Sequence, residues 1–216
     1  LLLGSAMGEG SAAPAVGDII TFGRYEQDND LTNGAEPIEW LVLDTDGDRA
    51  LVISKYALDC QPYNEDYEDV TWETCTLRTW LNETFYNAAF SASEQNKIQS
   101  TTVVNSDNPD PDYGTQGGND TTDKVFLLSL DEAYQYFSSD VARMCAPTAF
   151  AIAQGVWTSD SYRASDGKAA CLWWLRSPGY YSHSACSVYG IGDAYYYYSD
   201  VNITDGGIRP ACWIQI

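Results

Sequence analysis

Polar and apolar residues alternate along Gly17-DIITFGRY, and two apolar runs, Pro37-IEWLVLD and Ala50-LVIS, meet across Thr45-DGD. β-Branched and aromatic residues at a period of two predict strands. Asp46-Gly47 has the chemistry of a type I′ hairpin turn, so the opening of the chain reads as a small antiparallel sheet. The period then changes. In Cys75-TLRTWLNETFYNAAF the residues Leu77, Trp80, Leu81, Phe85 and, less regularly, Ala88 share one face at helical spacing, which predicts an amphipathic helix. Ser91-ASE is a capping box: the serine can accept from the amide of Glu94 while that carboxylate reaches back, so a second short helix starts there and carries Ile98.

After Thr101-TVV the chain enters Asn105-SDNPDPDYGTQGGNDTTDK, whose Pro, Gly, Asn and Asp predict a long mobile loop without regular structure. Lys124-VFLLS reads as a buried strand. Ser129-LDE is another capping box and opens a helix with Ala133, Tyr134 and Phe137 on its inner side, and Thr148-AFAIAQ is a short apolar helix ended by Gly155. Cys171-LWWLR is too apolar for an exposed strand and breaks at Pro178-Gly179, while Gly207-IRPACWIQI closes the chain as a strand. Strands at both ends with helices and loops between predict one α+β domain whose two termini share a sheet. The first residues, LLLGSAMGEGSAAPAVGD, read as a tag or the remnant of a signal segment with a Gly/Ala/Ser linker, so residues 1–16 are set apart from the 17–216 domain.

Composition changes this picture at one place. Seven of the sixteen tyrosines fall between Tyr180 and Tyr198, mixed with Ser, Gly, Asn and Asp, which is the chemistry of antibody-like binding loops. From Gly179 to Asp205 there is no Glu, Gln, Lys, Met or Trp, although all five occur earlier in the chain. No codon ending in C or T specifies any of those five. Codons AAC and AAT randomised at their two adenines give Tyr, His, Asp, Ser, Thr, Ala, Gly, Cys, Val and Ile, which are types present in this window.

Charge and the remaining chemistry exclude several functions. With 31 acidic and 11 basic residues the net charge is −20, which repels phosphate backbones, so nucleic acid is not an expected partner. No apolar stretch approaches the ~18 residues of a membrane span. The six cysteines, Cys60, Cys75, Cys145, Cys171, Cys186 and Cys212, contain no CxxC, and His183 is the one histidine, so a Cys/His zinc cage is not expected and no metal or cofactor is assigned. Cys60 and Cys75 are the first pair to test for a disulfide. Asp107, Asp110, Asp112 and Asp120 could bind calcium, but their spacing does not fit the EF-hand series.

Trp173-WLRSPG and Gly207-IRPA, together with Gly17-DIITFGRYEQ, Pro37-IEWLVLD, Ala50-LVISKYALDCQPYN, Thr71-WETCTLRTWLN, Lys124-VFLLSLDEA and Ala146-PTAFAIAQG, resemble a large uncharacterised domain family of gut bacteria over residues 17–216. That family is similar to the formylglycine-generating-enzyme-like branch of the C-type lectin fold. Many such domains are variable proteins of diversity-generating retroelements, whose C-terminal codons are rewritten at adenines. The resemblance implies an α+β C-type-lectin-like domain with small antiparallel sheets and a variable region at about 179–205. It implies scaffold roles for Trp173, Trp174, Arg176, Gly207, Arg209 and Pro210, with Leu175 and Ile208 beside them, and framework roles for Val188, Gly192 and Val201. The ligand contacts it implies are Tyr180, Tyr181, Ser182, His183, Ser184, Tyr189, Asp193, Tyr195, Tyr196, Tyr197, Tyr198, Ser199, Asp200, Asn202 and Thr204. The expected function is a display protein at the cell surface, secreted, or on a phage particle. Its expected partner is a protein or glycan on another cell, or a phage or host receptor. A calcium-dependent carbohydrate-binding lectin using the acidic loop or Asp193, Asp200 and Asn202, and an oxidase like the formylglycine generators, are the alternatives.

Overall fold

The computed structural model describes residues 13–195 and 199–216. In chain order the strands are β1 (Ile19–Tyr25), β2 (Glu36–Asp46), β3 (Arg49–Ser54), β4 (Asp59–Cys60), β5 (Thr101–Val103), β6 (Thr121–Asp123), β7 (Thr158–Arg163), β8 (Ala169–Cys171), β9 (Trp173–Pro178), β10 (Ala185–Val188), β11 (Ala194–Tyr195), β12 (Gly207–Ile208) and β13 (Ala211–Gln215). They form one sheet in the order β1-β2-β3-β13, a second in the order β11-β10-β9-β12-β4, and two strand pairs, β5-β6 and β7-β8. The α+β class is as the sequence predicts. The first and last strands share a sheet, with β13 joined antiparallel to β3.

The sequence pattern explains most of these elements, and physical detail corrects the rest. In β2 alternate residues Ile38, Trp40 and Val42 are buried, and Leu43 is buried too because a bulge between Val42 and Asp44 turns it back toward the core. The β2–β3 loop is Gly47-Asp48, closed by the pair Asp46 and Arg49. Only Gly47, at φ 62, lies in the left-handed region, which is the pattern of a type II′ turn rather than the type I′ turn predicted.

The predicted helix forms as α1, made of Thr76–Trp80, a π-helical turn Leu81–Phe85, and Tyr86–Ala89. The wider π turn slows the angular advance, so the buried face runs Leu77, Leu81, Phe85, Ala89 and leaves Ala88 exposed. Both capping boxes are present, opening α2 (Ala92–Gln95) and α3 (Leu130–Tyr136). Ile98 is buried beyond the end of α2, bridged to Ile214, and Tyr134 faces outward at 49 % exposure while Ala133 and Phe137 are buried. Two further helices are α4 (Asp140–Arg143) and α5 (Ala149–Gln154), the latter ended by left-handed Gly155 as predicted.

Val125–Leu128 is buried without being a full strand: it follows a bend at half-buried Lys124 and bridges antiparallel to Ala211 at Phe126. Asn82 takes the place of a partner strand: its Oδ1 accepts from the amides of Lys124 (2.8 Å) and Val125 (3.2 Å), and its amide donates to the Val125 carbonyl (2.9 Å). The run Cys171–Arg176 is two strands, broken at Leu172 where β8 leaves for β7 and β9 begins pairing with β10 and β12. The C-terminal run likewise divides at Arg209-Pro210 into β12 and β13, which belong to different sheets.

The core is built around buried tryptophans whose ring N–H groups all find carbonyl or carboxylate partners. Trp40 donates to Phe22 (2.6 Å), Trp72 to Asp123 (2.9 Å), Trp173 to Arg143 (3.2 Å) and Trp174 to Gln61 (3.0 Å). Such bonds fix ring orientation as well as burial, so β9 is a rigid base for the residues that follow it.

Candidate functional site

Immediately after β9 the chain turns through residues 179–184 and returns as β10. Every carbonyl of this turn is held. Asn108 donates its side-chain amide to the carbonyls of Pro178 and Gly179 (3.0 Å each), and Thr115 donates its hydroxyl to Tyr180 (2.6 Å). The backbone amides of Ser184, Val70 and Val201 donate to the carbonyls of Tyr181 (2.9 Å), Ser182 (2.9 Å) and His183 (3.0 Å). Gly179 is required here, since a Cβ would lie 2.5 Å from the Ser184 Oγ. The predicted mobile loop at 105–120 therefore serves as a shelf. Three of its four carboxylates accept from its own amides: Asp107 from Gly117, Asp110 from Asp112, and Asp120 from Asn105.

With the carbonyls held, the side chains form a row of rings. Tyr113 of the shelf contacts Tyr180, and Tyr180 lies 5.9 Å from Tyr181. Tyr181 stacks on His183 at 5.2 Å and 13°, and His183 meets Tyr67 at 4.9 Å. The His183 Nδ1 is 3.5 Å from the Asp69 carboxylate. Tyr67 and Tyr181 are each 56 % exposed and Tyr113 is 43 % exposed, so five rings from three chain segments present a continuous aromatic ribbon. Tyr67 and Tyr113 lie outside the tyrosine-rich window, and no spacing in the sequence connects them to it.

The remaining candidates separate into three groups. Tyr189, Asn202 and Thr204 line a cleft of about 620 Å³ with Trp157, Leu172, Ile203 and Asp205. This cleft and the ribbon are joined by one segment: the Val201 amide bonds to His183, and the Asp205 carbonyl accepts from Trp157 at 2.9 Å. Asp193 is half-buried, its carbonyl closing the 189–193 turn onto Tyr189 (2.9 Å), and exposed Asp200 pairs with Ser184.

Ser184 and Ser199, expected among the ligand contacts, are instead buried at 3 % and 1 % exposure. Ser184 Oγ binds the Tyr181 amide (2.9 Å) and Ser199 Oγ binds Ser187 Oγ (2.7 Å), so both hydroxyls are used in holding the loop. Tyr195 enters β11 opposite Ser187, while Tyr196, Tyr197 and Tyr198 lie outside the described residues. The expected scaffold residues Trp173, Trp174, Arg176, Gly207, Arg209 and Pro210 are all buried, as are Val188, Gly192 and Val201.

The thiols are withdrawn from solvent. All six cysteines are free and buried, so Cys60 and Cys75 form no disulfide; their thiols instead donate to the carbonyls of Thr204 and Trp72. Burial, helped by Asp59 and Asp205, pushes the Cys60 thiol up to about 12, and burial takes Cys75 to about 12 as well. Cys145 goes the other way. Burial opposes its thiolate, but a hydrogen bond with Cys171 and the charge of Arg209 outweigh that and hold it below the ordinary range. At 1 % exposure it lacks the access that a nucleophile needs. Among the described residues, the grouping of metal-ligand atoms within 4.8 Å of one another is Glu26, Asp28 and Glu36, away from both the acidic loop and the window. No helix among the described residues is long and apolar enough to cross a membrane.

The family described as Domain of unknown function (DUF6273) matches residues 47–216, beginning in the β2–β3 turn and taking in every residue of the ribbon and the cleft. No curated protein and no solved structure matches the chain.

Proposed function

We propose, for a chain that belongs to the DUF6273 family of unknown function, that residues 179–205 form the recognition surface of a non-catalytic binding module. In this reading the domain is C-type-lectin-like and its loop side chains are rewritten by a diversity-generating retroelement. It displays them at the cell surface, as a secreted protein or on a phage particle, to a protein or glycan of another cell or to a phage or host receptor.

One observation carries the reading: each carbonyl from Pro178 to His183 is held by Asn108, Thr115 or a backbone amide, and not by a side chain at Tyr180 to His183. A turn held this way keeps its course whatever residues stand at 180–183, which is what a surface rewritten codon by codon requires. Fixing the loop before association also spares the ordering cost of mobile side chains, ~0.5–1.5 kcal/mol each. The rings themselves are stiff and amphipathic, the chemistry that antibody-like sites use. No Ser, Thr or Cys side chain hydrogen-bonds His183 among the described residues, which favours recognition over acyl-transfer chemistry.

The test is capture of surface-labelled molecules from bacterial cells by the wild-type chain and by the double variant Tyr67→Ala/Tyr181→Ala. Both rings are more than half exposed, so the thermal midpoint is expected to stay within about 2 °C. Capture is expected to fall at least about tenfold, as for loss of central aromatic contacts. Undiminished capture, or loss of cooperative unfolding in the double variant, contradicts the reading.

A further inference from the structure

The cleft at the far end of segment 199–206 has a chemistry of its own. Trp157, 41 % exposed, and Tyr189 stand nearly perpendicular, with ring centroids 6.3 Å apart at 65°. Leu172 is buried between them and the strands, and the single charged side chain on the described lining is Asp205. Oδ1 of Asp205 is buried and accepts no hydrogen bond among the described residues. A carboxylate oxygen withdrawn from solvent without a donor leaves the Asp205 charge poorly compensated, and a positive charge held in the cleft relieves it through space. The surroundings favour the charge. Burial, with the charges of Asp59 and Asp205, raises the neighbouring Cys60 thiol, no basic side chain stands on the described lining, and the whole chain carries −20.

We infer that this cleft binds an organic cation, an alkylammonium or guanidinium head group, with the Trp157 and Tyr189 ring faces against its apolar surface and Asp205 against its charge. Aromatic rings attract such groups through their negative faces, most strongly where water is excluded. A metal ion would need several oxygen ligands; the described lining offers one carboxylate. The cleft volume, about 620 Å³, admits a free quaternary ammonium or a lysine or arginine side chain projecting from a protein partner. The inference rests on the recognition reading in that Tyr189, Asn202 and Thr204 are shared with the window, and it narrows the ligand chemistry of that end of the surface.

Choline and Nα-acetyl-arginine amide, titrated separately into the full chain and followed by calorimetry and tryptophan fluorescence, distinguish the two sources of the cation. Glucose and the uncharged choline isostere 3,3-dimethylbutanol serve as neutral probes. At least one cation is expected to bind, and the neutral probes to bind about tenfold more weakly or not at all. Asp205→Asn and Trp157→Ala should each weaken cation binding about tenfold with the thermal midpoint preserved. Leu31→Ala, at an exposed position of the β1–β2 loop, should leave it unchanged, and the ribbon is read separately by capture with the Tyr67→Ala/Tyr181→Ala variant. Equal binding of a neutral probe, unaltered affinity in Asp205→Asn, binding of calcium chloride in place of both cations, or no binding by either cation overturns the assignment.

Discussion

Arg176→Met is expected to destabilise the fold by about 3–5 kcal/mol, the cost of breaking a buried ion pair from one side. Arg176 stands in β9, 4 % exposed, just before the 179–184 turn. Its guanidinium donates to the carbonyls of Leu127 (2.8 Å) and Val104 (3.1 Å) and to both oxygens of Glu132. Glu132 also closes the α3 capping box by accepting from the Ser129 amide (2.9 Å), so the Arg176–Glu132 pair joins β9, a helix start and, through the Leu127 carbonyl, the Lys124–Leu128 segment. Methionine fills the volume but leaves the two carbonyls without that donor and Glu132 with the Ser129 amide alone and no countercharge. At about 2–4 °C per kcal/mol for a domain of this size, the thermal midpoint should fall by roughly 10 °C or more. Arg176→Lys keeps the charge without the planar fork and should restore only part of the loss. A midpoint change of Arg176→Met within about 2 °C would show that the network is not what holds β9.

Gly192→Ala should be comparably severe, for steric reasons. Gly192 sits at φ 87 with its ideal Cβ position 1.8 Å from the carbonyl oxygen of Asp140 and 2.4 Å from its carbon. Both are backbone atoms of α4 and cannot swing aside, and Arg143 of the same helix donates its Nε–H to the Gly192 carbonyl at 2.9 Å. Left-handed strain of ~1–3 kcal/mol and overpacking of ~1–3 kcal/mol together predict a loss of about 2–6 kcal/mol, measurable by urea unfolding. The neighbouring Ile191, 42 % exposed, should accept alanine with little change. The contrast bears on function: if the window is rewritten, natural variants should change freely at Ile191 and keep glycine at 192. A well-folded Gly192→Ala protein would refute the steric argument.

Local signals in the sequence were legible and distant ones were not. The capping boxes at Ser91 and Ser129, the left-handed stop at Gly155 and the alternation in β2 each depend on residues a few positions apart, and all appear in the structure. The π turn in α1 moved the buried face from Ala88 to Ala89, a shift that no periodicity of α-helical spacing foresees. Composition made the 105–120 segment read as mobile because its stabilising partners are remote: Asn108 bonds to carbonyls seventy and seventy-one positions away.

The same division holds at the site. Tyr180 to His183 stand out in composition, whereas Tyr67, Tyr113 and Trp157 join the surface only because the chain folds them there. Ser184 and Ser199 were misplaced for a chemical reason. Serine serves equally as an exposed contact and as a buried hydrogen-bonding group, and codon composition does not distinguish the two.

The DNA surrounding the gene tests the central claim, a recognition surface written by directed mutagenesis, most directly. Sequencing the complete source genome is expected to reveal a near-copy of the segment encoding residues 179–216 beside a reverse-transcriptase gene. The copy should differ from the gene at adenines, with codons ending in C or T at Ser182 and Thr204, where the genetic code also allows A or G, and be unchanged at Gly192. A complete genome without such a copy, or with differences spread over all four bases and through the buried scaffold positions, would contradict it.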